Sequence, residues 1–168
     1  PTSQSAEYDT SVDAQGNTGA RTGYSFTGWN TQADGNGDPV AAGAAYTVTA
    51  DVTLYAQWSA VPYTLAYNEN SGSCAGTSGS GPADQTGIIE SVQTVAGIGS
   101  FVCTGYSFNG WNTAADGSGD SYAEGGAFVM PVNGDTLYAQ WVANVYTLVY
   151  NANGGAGAPL PGQFTTGQ

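Results

Sequence analysis

The sequence predicts a mostly β chain assembled from tandem modules, and three observations carry the prediction. The block Gly23-Tyr24-Ser25-Phe26-Thr27-Gly28-Trp29-Asn30-Thr31 returns as Gly105-Tyr106-Ser107-Phe108-Asn109-Gly110-Trp111-Asn112-Thr113. Two further blocks return with it: Thr53-Leu54-Tyr55-Ala56-Gln57-Trp58 as Thr136-Leu137-Tyr138-Ala139-Gln140-Trp141, and Tyr63-Thr64-Leu65 as Tyr146-Thr147-Leu148, which sets a period of 82 to 83 residues. Self-similarity at a fixed period makes each period one module whose contacts lie mostly with its neighbours. The third observation is compositional: Gly supplies 26 of 168 residues, Thr, Val, Tyr and Trp are plentiful, and the helix formers Lys, Arg, Met and Glu are scarce. Such a mixture favours strands and turns.

Taken in order, residues 1–20 are polar apart from Tyr8 and Val12 and read as an edge strand or loop. In the block that follows, Tyr24, Phe26 and Trp29 supply core bulk, as Tyr106, Phe108 and Trp111 do one period later. The reading of the tryptophans as core competes with one in which exposed rings stack on sugars or partners. Val52, Leu54, Ala56 and Trp58 then fall on one face at period two and predict a half-buried strand, with Trp141 the later counterpart of Trp58. Ser59 to Pro62 reads as a short linker into a second strand on which Tyr63, Leu65 and Tyr67 share a face. Asn68 to Gly87 is loop-like, and Ile88 to Val95 predicts another strand in preference to a short helix.

Asp34-Gly35-Asn36-Gly37-Asp38 and its later copy Asp116-Gly117-Ser118-Gly119-Asp120 place oxygen-bearing side chains at alternate positions, as in the first half of a calcium loop. Pro39 and Ser121 stand where that loop needs its glycine, and Ala45 and Ala127 where it needs its bidentate glutamate. Ordinary Asx-turn chemistry accounts for the same residues and is the preferred reading, with calcium the alternative.

Charge and residue inventory exclude much chemistry. The one basic residue is Arg21, against 13 acids and no His, so the net charge is −12. A nucleic-acid partner needs clustered Lys and Arg, and an anionic membrane surface needs the same. No apolar run reaches transmembrane length, so no membrane insertion is expected of these residues. Without His or Lys there is no His-based triad, no Schiff-base lysine and no phosphate-loop lysine. A carboxylate pair could still cleave glycosides, but Glu7, Glu69, Glu90 and Glu124 are scattered and most aspartates sit in turn contexts, so no enzyme is expected. Cys74 and Cys103, the only cysteines, have no counterparts one period away. In an acidic, Lys-free repeat chain they suggest an oxidising, extracellular compartment and one disulfide within the middle module; two buried free thiols are the alternative.

Read together, G-Y-S-F-x-G-W-N-T, A-D-G-x-G-D, T-L-Y-A-Q-W and Y-T-L-x-Y-N-x-N-x-G closely resemble the Listeria-Bacteroides repeat, the internalin B-repeat family. The resemblance covers one complete unit, residues 61–144, and most of the rest in pieces. It implies an α+β module like a small β-grasp domain, a mixed sheet with one short helix or helical turn, strung in tandem on surface proteins for display, spacing or adhesion. It brings no catalytic residues. The cysteine pair and the near absence of Lys and Arg depart from the family.

On this reading residues 1–60 are the later part of a split repeat and residues 145–168 are the opening strand and loop of another. The two end segments together match the length of the complete repeat. The expectation is therefore a head-to-tail partnership between copies, in which Tyr146, Leu148 and Tyr150 of one copy pack against Tyr24, Phe26 and Trp29 of the next and build an open filament. One period of a longer tandem array is the related form. A surface adhesin that binds glycans or a receptor through exposed Tyr and Trp is the competing expectation.

Overall fold

The computed structural model describes residues 2–156 and 162–165, the last of these, beyond Gly162, by their backbone alone. Of the segment predicted to open another repeat, residues 157–161 and 166–168 lie outside the described residues, as does Pro1. The chain is mostly β and falls into two compact units, one ending at Pro62 and one beginning at Tyr63.

In the N-terminal unit the strands are β1 (Thr10–Asp13), β2 (Tyr24–Asn30), β3 (Pro39–Val40), β4 (Ala45–Val48) and β5 (Tyr55–Ala60). They form a three-stranded sheet in the order β3-β2-β5 and a separate ribbon of β1 with β4. Antiparallel pairing sets Phe26 opposite Trp58 and Trp29 opposite Ala56, with a bulge between Phe26 and Gly28. The buried core is small: Ala14, Trp29 and Val40, flanked by the half-buried Phe26, Tyr46, Leu54 and Ala56.

The second unit carries β6 (Pro62–Asn68), β7 (Thr77–Ser78), β8 (Gln85–Ile88), β9 (Val92–Thr94), β10 (Val102–Cys103), β11 (Tyr106–Asn112), β12 (Ser121–Tyr122), β13 (Ala127–Val129), β14 (Asp135–Ala143), β15 (Val145–Leu148) and β16 (Gly162–Thr165), with a 3-10 turn at Ser71–Ser73. Its sheet has five strands in the order β12-β11-β14-β6-β8. The β12-β11-β14 portion copies β3-β2-β5, bulge included, and the β13-β9 ribbon copies β4-β1. The additions are β8 at the edge and β6, which runs parallel to β14 with Asp135 opposite Leu65 and Leu137 opposite Tyr67. Leu65 and Leu137 are fully buried there with Val95, Trp111, Phe128, Met130 and Ala139. The approach is so close that a side chain at Gly134, where φ is 73°, would collide with the Thr64 carbonyl. The sheet is thus mixed, and the parallel pair is its centre.

Four expectations need correction. The strand predicted over Val52 to Trp58 begins only at Tyr55, and Val52 is 42% exposed, whereas its copy β14 is a strand from Asp135 onward. The difference follows from β6: residues 135–138 have a parallel partner, and residues 52–54 have none among the described residues. The predicted linker does not exist, because Ser59 and Ala60 belong to β5 and Pro62 to β6. The strand expected over Ile88 to Val95 is broken into β8 and β9 by a turn in which Glu90 adopts φ 63° and Ser91 donates to the Ile88 carbonyl at 3.0 Å. The strand expected to reach Tyr150 stops at Leu148, and β15 pairs antiparallel with β16.

Cys74 and Cys103 form a disulfide across 29 positions of sequence. Cys103 is nearly fully buried in β10, which pairs with β7 through Cys103 opposite Thr77. The bridge therefore fastens the long 69–84 excursion to the start of β11, a region with short strands and little core of its own. Closing a loop of this size removes denatured-state entropy worth on the order of 3 kcal/mol. Replacing both cysteines by serine is expected to lower the unfolding free energy of the C-terminal unit by about that amount, measured by urea titration; an unchanged midpoint would contradict this role.

Candidate functional site

The nine-residue block serves both units in the same way. Trp29 Nε1 donates to the Gln15 carbonyl at 2.7 Å, and Trp111 Nε1 to the Ala96 carbonyl at 2.7 Å. Trp111 is 1% and Trp29 9% exposed, and Phe108 and Phe26 stand edge-on to them at 5.2 Å. Trp58 and Trp141 are half-buried and likewise edge-on to Phe26 and Phe108, at 5.7 Å each. Tyr24 and Tyr106 are half-buried, and the Arg21 guanidinium lies 3.8 Å over the Tyr24 ring.

The acidic loops are built around buried carboxamides. Asn112 Oδ1 accepts from the backbone N–H groups of Ala114 (2.8 Å) and Gly119 (2.9 Å), while Nδ2 donates to Gly117 O (3.3 Å), Gly119 O (3.0 Å) and Ser121 Oγ (3.1 Å). Asn30 repeats the pattern with Gln32, Gly35 and Gly37. This explains the A-D-G-x-G-D spelling. The first glycine takes φ 80° in both copies, and a side chain at the second would press on the carboxamide oxygen of Asn30 or Asn112. Nothing in the sequence pattern marks the two asparagines except that both copies of the block carry them.

Of the oxygens considered for calcium, those of Asp34, Asp116 and the Ser118 hydroxyl are engaged within the turn itself. Asp34 accepts from Asn36 N at 3.1 Å and Asn36 Nδ2 at 2.9 Å; Asp116 Oδ1 accepts from Ser118 N at 3.0 Å and Ser118 Oγ at 2.6 Å. The Asn36 backbone and side-chain bonds hold the Asp34 carboxyl below its ordinary value, and the Ser118 hydroxyl and N–H do the same for Asp116. Asp38 and Asp120 use their backbone N–H groups to donate to Thr31 Oγ1 and Thr113 Oγ1, both at 2.9 Å. Among the described residues no three His, Cys, Asp or Glu side chains are gathered as a metal would require.

Apart from the disulfide-bonded excursion and the β15-β16 pair, the units differ chiefly where β6 lies, and that is the site of interest. Residues 2–15 of the N-terminal unit follow the course of residues 83–96. Gln4 Nε2 donates to Asp13 O at 3.3 Å as Gln85 Nε2 does to Thr94 O at 2.9 Å. Asp9 takes φ 60° where Glu90 takes 63°, and Thr10 Oγ1 bonds Glu7 O at 2.6 Å as Ser91 Oγ bonds Ile88 O at 2.6 Å. The residues that flank β6 thus have counterparts in the N-terminal unit, although residues 4–7 and 52–54 are not strand there. Between them lies a groove of about 650 Å³, walled by residues 2–6 on one side and 50–54 on the other, with Val12, Ala14, Trp29, Tyr46 and Val48 as its floor. Its position is that of β6 in the second unit, and its floor matches the residues that bury Leu65. Gln15 N, the counterpart of the Ala96 N–H that donates to the Tyr67 hydroxyl at 3.0 Å, lines the same groove.

The residues of the predicted inter-copy strand are displayed, not buried: Tyr146 is 58%, Leu148 46% and Tyr150 48% exposed, whereas Leu65, the counterpart of Leu148, is 0%. Val145 and Val149 are exposed beside them. Exposed apolar runs on surface strands are a feature that interaction sites share.

A β module repeated along the chain, with buried aromatic motifs and turn-forming acidic loops, defines a repeat domain. The Listeria-Bacteroides repeat domain model matches residues 1–57 and 63–140, and the chain belongs to this family. It is similar over 150 residues, at 44% identity, to a protein of Evansella cellulosilytica named "Putative Gly-rich membrane protein", with 86% of this chain and 17% of that protein covered. A second protein of that organism, named "Putative membrane protein", is 40% identical over 97 residues, 58% of this chain and 14% of its own length. The chain thus spans less than a fifth of the length of these relatives. No solved structure matches. Among the described residues no helix is long and apolar enough to cross a membrane.

The buried carboxamide supplies a test of how the loops are held. Asn112→Ala leaves backbone donors and acceptors unpaired and is expected to cost about 2–4 kcal/mol in chemical denaturation. Asn112→Asp should cost as much at neutral pH, because its carboxylate faces the Gly117 and Gly119 carbonyls; these raise its pKa, so part of the loss should be recovered progressively as the pH is lowered toward the ordinary carboxyl range. A stability change within the surface-mutation range of about 0.5 kcal/mol for both variants would refute the role.

Proposed function

We propose that the chain is a non-enzymatic structural unit of an extracellular, cell-surface fibre built from β-grasp-like repeats, in which the opening strand of one copy completes the N-terminal unit of the next. The groove carries this reading, because its walls and floor are the repeat counterparts of the residues around β6, although residues 2–6 and 51–54 are not themselves strand. Tyr146, Leu148 and Tyr150 of one copy take the places of Tyr63, Leu65 and Tyr67, with Leu148 over Trp29 and Leu54 of the next. Docking exchanges the short β15-β16 pairing, whose side chains on β15 are all exposed, for a two-sided strand site. An isolated hairpin is marginal in water, so the exchange costs little, and burying Leu148 alone contributes about 2 kcal/mol. The contact is heterologous and does not close on itself, so it propagates as a filament.

The mixed sheet, the ribbon and the helical turn of the second unit support a β-grasp-like assignment of the complete repeat. Membership in a repeat-domain family and a sequence without His or Lys support a non-enzymatic role. The family, the names of the relatives and the disulfide support a surface location. The greater length of the relatives favours copies joined in one polypeptide; the intact mass of native material separates that form from 17.0 kDa subunits.

The competing adhesin reading rests on Tyr8, Tyr55 and Tyr146, which are 80%, 42% and 58% exposed and could stack on sugars. Saturable quenching of intrinsic fluorescence by glycans, unaffected by changes at Leu148, would favour it.

Sedimentation velocity tests the fibre. The chain is expected to form species heavier than 17.0 kDa as concentration rises, and Leu148→Asp to hold it at 17.0 kDa with unchanged thermal unfolding of the C-terminal unit. A wild-type chain that stays monomeric at millimolar concentration would overturn the proposal.

A further inference from the structure

Beyond the strand itself, we infer that the turn following it, Tyr150 to Asn153, is a latch that fixes register and selects which strands the groove accepts; the inference rests on the groove reading above. In the C-terminal unit β6 ends in a turn in which Asn70 takes φ 48° and its N–H donates to Asn68 Oδ1 at 2.8 Å. From there Asn70 Nδ2 reaches two backbone carbonyls, Ala115 O at 2.7 Å and Ala139 O at 3.0 Å, and Trp141 Nε1 donates to Glu69 O at 2.8 Å. Asn70 thus ties the end of the incoming strand to two separate segments, the acidic loop and β14.

Each partner has its copy. Asn153 adopts φ 45° and its N–H donates to Asn151 Oδ1 at 2.8 Å, so the turn after β15 is already formed as it is after β6. On the receiving side the counterparts of Ala115, Ala139 and Trp141 are Ala33, Ala56 and Trp58. Among the described residues no side chain donates to the carbonyls of Ala33 or Ala56, and Trp58 Nε1 makes no hydrogen bond, although the Trp58 ring is held against Phe26. Donors and acceptors therefore match one to one. Asn153 Nδ2 donates to Ala33 O and Ala56 O of the next copy, Trp58 Nε1 of that copy donates to Ala152 O, and its Gln15 N–H donates to the Tyr150 hydroxyl.

The consequence is specificity. A strand of alternating apolar residues fits the groove in more than one register, since shifts of two residues keep the same face inward. Only a strand followed at the right distance by a carboxamide in the left-handed turn satisfies the two carbonyls as well. Because the turn is formed before docking, little conformational entropy is lost in using it. The groove should thus accept the opening strand of a repeat and reject other apolar segments.

The acceptor for the test is the full chain carrying Leu148→Asp, whose own strand cannot compete. Synthetic peptides spanning Val145 to Gly154 are titrated in while the Trp58 indole N–H resonance, assigned through Trp58→Phe, is followed by NMR. The native peptide is expected to bind and to move that resonance downfield. Peptides with Asn153→Ala or Asn153→Asp are expected to bind roughly tenfold or more weakly. A peptide with Leu148→Asp should not bind. If both Asn153 variants bind as tightly as the native peptide, the latch is refuted and the groove reading stands. If the native peptide does not bind at all, both fall.

Discussion

Parallel pairing of β6 with β14 is the interaction on which the C-terminal unit depends. It brings Leu65 over Leu137 and Trp111, turns the stretch from Asp135 into strand, and closes a core of seven buried residues. Where the same pairing is not made, as at residues 51–54, the backbone leaves the sheet and Val52 and Tyr55 stay exposed. A parallel pair can be joined only by a long crossover, and β6 and β14 stand at opposite ends of their repeat. On the proposed reading, the strand that closes the core is the one another repeat supplies.

The remaining features of each unit do not depend on that strand. The Trp29 and Trp111 indole bonds, the carboxamide-centred loops and the Phe-Trp edge contacts are the same in both units to within a few tenths of an ångström. The N-terminal unit thus keeps its local framework and presents a groove with shaped walls instead of a collapsed edge. Strand addition would then have to order only residues 51–54, because the sheet beneath them and the Trp58 ring against Phe26 match their counterparts.

The repeat, the β character, the core role of Trp29 and Trp111 and the cysteine pair were legible in the sequence because each rests on identity between copies or on side-chain chemistry. The end of β5 nearest the groove was not, since Val52-Thr53-Leu54 alternates as well as Asp135-Thr136-Leu137 does, and only the partner strand decides whether the alternation becomes a strand. The turn at Glu90 was hidden for a different reason: a left-handed Glu carries no sequence signal, and the flanking apolar residues read as one strand. Asn30, Asn112 and Asn70 escaped notice because Asn in a Gly-rich segment looks like turn filler, while their carboxamides bind backbone groups seven or more residues away. The groove itself follows from comparing two copies of one fold, which no single window of sequence allows.

Register is the most direct measure of the account. The pairing of Thr136 with Ala66 places Thr53 of one copy opposite Val149 of another. A chain carrying Thr53→Cys and Val149→Cys is therefore predicted to oxidise into a ladder of covalent multiples of 17.0 kDa on a non-reducing gel, dependent on an intact Leu148. A single monomeric band under the same oxidation would contradict strand exchange between copies.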